Sequence, residues 1–117
     1  MNSFCIQDLT VRDGNQSLLA TRMEHKDILL LASALDKVGF HSMEVWGGAT
    51  FDSSYRFLNQ SAWDSLRAIR QATPNTKLSM LLRGQNIVGY RHYDNGILER
   101  FIRLSIENGI DIIRCFD

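Results

Sequence analysis

Apolar and polar positions along the chain follow two rhythms. Four short runs rich in β-branched and bulky apolar residues, 4–11, 42–46, 77–82 and 111–116, read as strands, and their starts lie 38, 35 and 34 residues apart. Three intervening segments carry the helical period instead. In 24–38, Ile28, Leu31, Leu35 and Val38 share a face and Gly39 stops the helix. In 62–72, Trp63, Leu66 and Ile69 recur at helical spacing, Ser61 with Asp64 forms a capping box, and Pro74 ends the run. In 95–108, Leu98, Phe101, Ile102, Ser105 and Ile106 fall on one side, with Asp94 as cap and Gly109 as stop. The pattern predicts β-α-β-α-β-α-β, with four strands and three helices.

A faint repeat supports this. Lys37-Val38-Gly39-Phe40 leads into the second strand much as Glu107-Asn108-Gly109-Ile110 leads into the fourth, and the two glycines are 70 residues apart, two units of 35. Strands joined by crossover helices are parallel, which leaves a β/α barrel or a doubly wound sheet. No linker or low-complexity stretch interrupts residues 1–117, so one unit without an internal boundary is expected.

Composition narrows the partners. Thirteen Lys+Arg balance thirteen Asp+Glu, so there is no general field for a phosphate backbone or anionic lipid, and no nucleic-acid partner is expected. The longest apolar run, 28–32, is far short of a membrane span, so no membrane insertion is expected. Cys5 and Cys115 cannot build a disulfide framework; both are expected as buried thiols of a cytoplasmic protein.

Polar residues with chemical potential gather after the strands: Arg12-Asp13-Gly14-Asn15-Gln16, then Gly47-Gly48-Ala49-Thr50-Phe51-Asp52, then Arg83-Gly84-Gln85-Asn86, then Asp117. Parallel β/α folds place their sites at these strand ends, which favours an enzyme. Phosphate-cradling glycine motifs are absent, and His25, His41 and His92 form no H-x-H or H-E-x-x-H pair. Asp13 is a hard oxygen ligand suited to a divalent cation, and Arg12 can face negative charge developing on a substrate oxygen; the two could equally form a surface ion pair. Arg83 can grip a carboxylate through two parallel hydrogen bonds or pair with a neighbouring acid.

Four ordered stretches carry a family resemblance. They are Asp8-Leu9-Thr10-Val11-Arg12-Asp13-Gly14-Asn15-Gln16-Ser17-Leu18-Leu19-Ala20-Thr21-Arg22, then Ala34-Leu35-Asp36-Lys37-Val38-Gly39-Phe40, then Glu44-Val45-Trp46-Gly47-Gly48-Ala49-Thr50-Phe51-Asp52, then Met80-Leu81-Leu82-Arg83-Gly84-Gln85-Asn86 with Gly89-Tyr90-Arg91. Together they resemble the opening of the carboxyltransferase domain of biotin-dependent enzymes, the group that includes pyruvate carboxylase, the oxaloacetate decarboxylase alpha subunit and the transcarboxylase carboxyltransferase subunit.

The resemblance implies a TIM-type β/α barrel of which this chain is the N-terminal half. It also implies transfer of a carboxyl group between biotin and pyruvate or oxaloacetate through an enolate. On the matched positions, Asp13 becomes a ligand of a divalent metal (Zn, Mn or Co), Arg12 and Gln16 touch the substrate and its enolate, Arg83 holds the pyruvate carboxylate, and Asp52 and Tyr90 lie in the biotin pocket. The implied partners are a biotin carrier domain or subunit, the remaining half of the barrel, and further copies in a homo-oligomer. The family's other metal ligands, a carbamylated lysine and a His-x-His pair, come from later strands, so the 117-residue chain alone is expected to be inactive.

The family usually carries His where Asn15 stands, and Arg-Asp-Gly-Asn-Gln is closer to barrels that perform Claisen-type acyl-CoA condensations. That reading, and a non-catalytic half-barrel assembly module, are the alternatives.

Overall fold

The structure, a computed structural model, describes residues 3–83 and 94–116. Its strands are β1 (Gln7–Asp8), β2 (Ser42–Gly47), β3 (Lys77–Leu82) and β4 (Ile112–Cys115), and its α-helices are α1 (Asn15–Leu19), α2 (His25–Leu35), α3 (Gly48–Arg56), α4 (Ala62–Ala72) and α5 (Asn95–Glu107). All strand pairs are parallel, in the order β1-β2-β3-β4. A doubly wound sheet reverses its strand order at a switch point, whereas a barrel adds each strand beside its predecessor. The unreversed order is that of a partial β/α barrel.

Local chemistry explains most element limits. Ser61 accepts a hydrogen bond from the Asp64 N–H, and Asp94 accepts one from the Ile97 N–H, so both expected caps form. Gly39 (φ +93) and Gly109 (φ +128) take left-handed conformations that end their segments and turn the chain into β2 and β4. Helix α2 ends at Leu35, three residues before the expected limit; tight i→i−3 bonds from Lys37 and Val38 close it, and Val38 is exposed.

The first strand is much shorter than residues 4–11. Asp8 accepts bonds from the Thr10 N–H (3.1 Å) and Thr10 Oγ1 (2.8 Å), a local turn that diverts the backbone from the ladder into a π-helical turn over Thr10–Gly14. Helices α1 and α3, in stretches read as loops, raise the expected three helices to five among the described residues.

The core lies between the sheet and its helices. Met43 and Trp46 from β2, Leu78 and Met80 from β3, and Leu66 and Ile69 from α4 are essentially solvent-free. Trp46 stacks on Phe101 of α5 with ring centroids 5.6 Å apart, and meets Phe51 of α3 edge-on and Trp63 of α4 at a tilt. A register irregularity between Glu44 and Trp46 matters here: Glu44 pairs with Ser79, while Trp46 pairs with the next residue, Met80. The bulge therefore lets Trp46 enter the aromatic cluster while Glu44 points away from it.

Both cysteines are exposed, contrary to expectation. Cys5 sits in the extended segment before β1, between exposed Phe4 and Ile6, and Cys115 lies on an outermost strand of the sheet.

Candidate functional site

The site is built where β1 gives way to the π-helical turn. That turn brings Arg12 back over the end of β2, and Arg12 is buried, with only 7% of its surface exposed. Its Nε–H donates to Glu44 Oε1 at 2.8 Å and its Nη1 donates to Gln16 Oε1 at 3.1 Å. The arginine is therefore buried, and half-exposed Asp13 is only one of its ion-pair partners. Its contact with Asp13, 3.6 Å from Nη2 to Oδ1, is the loosest of the three.

Asp13 itself is half-exposed, steadied at 3.3 Å by the Ser17 hydroxyl one helical turn on. Gly47 lets β2 lie close to β3: a Cβ there would stand 3.2 Å from the Leu81 carbonyl oxygen, tighter than usual, and at ordinary contact, 3.8 Å, from Arg12 Cδ.

Glu44 is a site residue that the sequence motifs do not single out. It is completely buried in a strand whose six residues are all buried, and it faces two guanidinium groups. Besides Arg12, Arg114 of β4 donates from Nε to Oε2 (2.8 Å) and from Nη2 to Oε1 (3.1 Å). The hydrogen bond to Glu44 raises the Arg114 pKa; burial opposes this, and the charges of Glu44 and Asp13 add to it. The available signal was a lone carboxylate among Met43, Val45 and Trp46, because an acid inside an apolar strand needs cationic partners.

The other expected site residues are less closely gathered. Gln16 joins Arg12 directly. Arg83 is exposed just past β3, and Asp52 lies on α3, ion-paired with Arg56 one turn later at 3.2 Å. Tyr90 and Asp117 lie outside the described residues.

Asn15 is buried and ties the following loop: its side-chain oxygen accepts from the Met23 N–H and its carbonyl from the Thr21 N–H. Among the described residues no three His, Cys, Asp or Glu side chains converge to hold a metal ion. Asp13 alone is short of the four or more ligands that divalent ions take, so these residues do not by themselves fit a resident metal. No helix among the described residues is long and apolar enough to cross a membrane.

Comparison with known proteins gives a consistent answer. No family model matches the chain. It is 58% identical over 112 residues to a pyruvate carboxylase subunit of Methanocaldococcus jannaschii, covering 96% of this chain and 20% of that protein. It is 50% identical over 112 residues to the methylmalonyl-CoA carboxyltransferase 5S subunit of Propionibacterium freudenreichii subsp. shermanii, covering 96% and 22%. Among solved structures, the carboxyl transferase domain of Rhizobium etli pyruvate carboxylase with pyruvate superposes with a TM-score of 0.93 at 45% identity, covering all of this chain and 20% of that one. The same domain with oxamate and biotin gives 0.89 at 47% identity, covering 97% and 19%. The chain thus spans about a fifth of the length of the relatives it matches.

Proposed function

This chain belongs to the carboxyltransferase-domain family of biotin-dependent enzymes, and on that premise we propose that it forms the enolate-stabilising part of a site that moves a carboxyl group between biotin and pyruvate or oxaloacetate. The observation that carries the reading is the buried Arg12 guanidinium, held on two sides by Glu44 and Gln16 at the strand-end face.

Pyruvate accepts a carboxyl group on its methyl carbon only after that carbon loses a proton, and the charge then collects on the former carbonyl oxygen. A fixed, water-shielded guanidinium stabilises such charge without reorganising during the reaction. Gln16 orients the guanidinium from Nη1 and reaches the same substrate. Arg83, exposed at the end of β3, takes the substrate carboxylate through its planar fork.

Biotin, brought by a carrier domain or subunit, would supply or take up the carboxyl group. Asp52 faces it on this reading: its exposed pair with Arg56 is worth under about 1 kcal/mol, so the carboxylate turns to an incoming polar group at small cost. Asp13 would supply one oxygen ligand to a divalent metal whose remaining ligands came from elsewhere in the domain. For that reason the 117 residues, as the N-terminal half of a barrel, work only with the remainder of the domain. The setting that goes with this reading is the cytoplasm, in keeping with two unpaired thiols.

The matches run to carboxylases and carboxyltransferases, which favours this reading over acyl-CoA condensation. Asn15 fits it as well, since its buried amide is occupied in closing a loop. The test is carboxyl transfer from labelled carboxybiotin to pyruvate by the full-length protein that carries this chain. Labelled oxaloacetate is expected; no label transfer, alongside condensation of an acyl-CoA with a keto acid, would overturn the reading.

A further inference from the structure

Among the described residues, three that are not glycine take left-handed backbone conformations: Ala20 (φ 51), Thr21 (φ 60) and Asn59 (φ 50). Such a conformation is costly for a residue with a Cβ and persists only where the surroundings impose it. Ala20 and Thr21 lie in the connection from α1 to α2, and Asn59 lies in the connection from α3 to α4. These connections are distant in sequence and meet in space.

Three contacts join them. His25, the first residue of α2, donates its N–H to Gln60 Oε1 at 3.3 Å and its Nε2–H to Ser54 Oγ of α3 at 2.9 Å. The Arg22 guanidinium lies 3.4 Å from the centre of the Phe57 ring, just past the end of α3. Ser54 is only 1% exposed and its hydroxyl donates to the Thr50 carbonyl at 2.8 Å, so its pairing with a histidine serves position and not nucleophilic attack. The first connection is anchored on its other side by Asn15, whose Oδ1 accepts from the Met23 N–H and whose carbonyl accepts from the Thr21 N–H. Asn15 directly follows the turn that carries Arg12. An unbroken path therefore runs from that turn through Asn15 and residues 20–25 to α3, the helix that carries Asp52.

We infer that this path is a clamp for the biotin-facing side of the site: Arg22, His25 and Ser54 are positioning residues that set where α3, and with it Asp52, stands relative to Arg12. The inference rests on the carboxyltransferase reading above, in which Asp52 faces biotin. Loosening the clamp registers in the use of biotin and leaves the keto-acid side unchanged, because Arg12 is held separately by Glu44 and Gln16. Helix α3 stays on the sheet without the clamp, since Phe51 packs edge-on against Trp46.

The experiment follows carboxyl transfer from oxaloacetate to free biotin by the full-length protein, with each substrate varied in turn, in wild type, Ser54→Ala and Arg22→Ala. Each substitution removes one contact of the strength of a hydrogen bond or a cation–π pair, so the biotin KM is expected to rise by about three- to tenfold. The oxaloacetate KM and kcat are expected to stay within about twofold. In an Asp52→Ala background Ser54→Ala is expected to add less than about twofold to the biotin KM, since residues acting through one another are not additive.

A biotin KM unchanged in both variants, an equal rise in the two KM values, or the full rise repeated in the Asp52→Ala background would overturn the inference. If Ser54→Ala does not fold, Arg22→Ala takes its place in both backgrounds with the same expectations, because Arg22 is exposed. A wild type that transfers no carboxyl group to biotin overturns the carboxyltransferase reading and this inference together, whereas an active wild type beside unimpaired variants overturns this inference alone.

Discussion

Gly39 and Gly109 occupy equivalent places in the repeat, each turning the chain from a helix into a strand with positive φ, yet substituting them with alanine should have very different costs. An alanine at either position is strained, by about 1–3 kcal/mol. At Gly39 (φ +93) the strain is the whole effect, because a Cβ there meets no atom within 4 Å. At Gly109 (φ +128) a Cβ would come within 2.8, 3.0 and 3.1 Å of Arg70 Cβ, Cγ and Cδ.

The Arg70 stem has little freedom to withdraw. Its head donates to the carbonyls of Thr73 and Thr76 at 2.5 and 2.7 Å and to Asp111 at 2.7 Å. Relieving the overlap means either forcing the packing, at about 1–3 kcal/mol, or giving up some of those bonds at a similar cost. Gly109→Ala should therefore be worse than Gly39→Ala by about 2 kcal/mol, roughly a 30-fold difference in the local opening constant. Amide hydrogen exchange on the full-length protein, resolved to residues 36–42 in one variant and 106–112 in the other, measures this directly. Equal loss of protection in the two variants would refute the argument that Arg70 is immobile.

Two further outcomes follow from buried polar groups. Asp36 accepts bonds from the Asn75 N–H, Asn75 Nδ2 and Thr76 Oγ1, tying the end of α2 to the entry of β3. Asn75 can turn to water and buried Thr76 cannot, so Asp36→Ala should cost about 2–3 kcal/mol in urea unfolding, and a loss under about 0.5 kcal/mol would contradict that. His25 donates from Nε2 to Ser54 Oγ (2.9 Å), whose own proton goes to the Thr50 carbonyl, and burial lowers the His25 pKa from its ordinary 6.5. The unfolded chain then binds a proton below pH 6.5 that the folded chain resists, so the contribution of His25 to stability is full above that pH and declines as pH falls through and below it. The unfolding midpoint should fall between about pH 7 and pH 5, and less steeply in His25→Gln; an identical slope in the variant would refute the assignment.

What was legible in the sequence was local. Helix α4 runs over the expected residues because its cap, its apolar spacing and the proline beyond it all lie within fifteen positions, and the glycine stops at 39 and 109 need only a backbone conformation. Arg12, Gln16 and Asp13 were identified at a strand end, and the structure brings Arg12 and Gln16 together. What escaped was set by distant partners. Glu44 acquires its meaning from residues 32 positions before it and 70 after it. Helix α3 begins on Gly47-Gly48, which reads as a loop until the packing of Phe51 against Trp46 is known. The first strand is cut short by an aspartate that bonds its own neighbour, a competition that apolar periodicity does not register.

On the proposed function, the Arg12 guanidinium stabilises the charge that carboxyl transfer places on pyruvate. The most direct test is the kcat of the full-length protein for carboxyl transfer to pyruvate, wild type against Arg12→Ala, with the fraction folded measured on the same samples. Removing one such donor costs on the order of a hundredfold or more, so the account predicts at least that loss per folded molecule. A folded Arg12→Ala protein that retains wild-type kcat would contradict it.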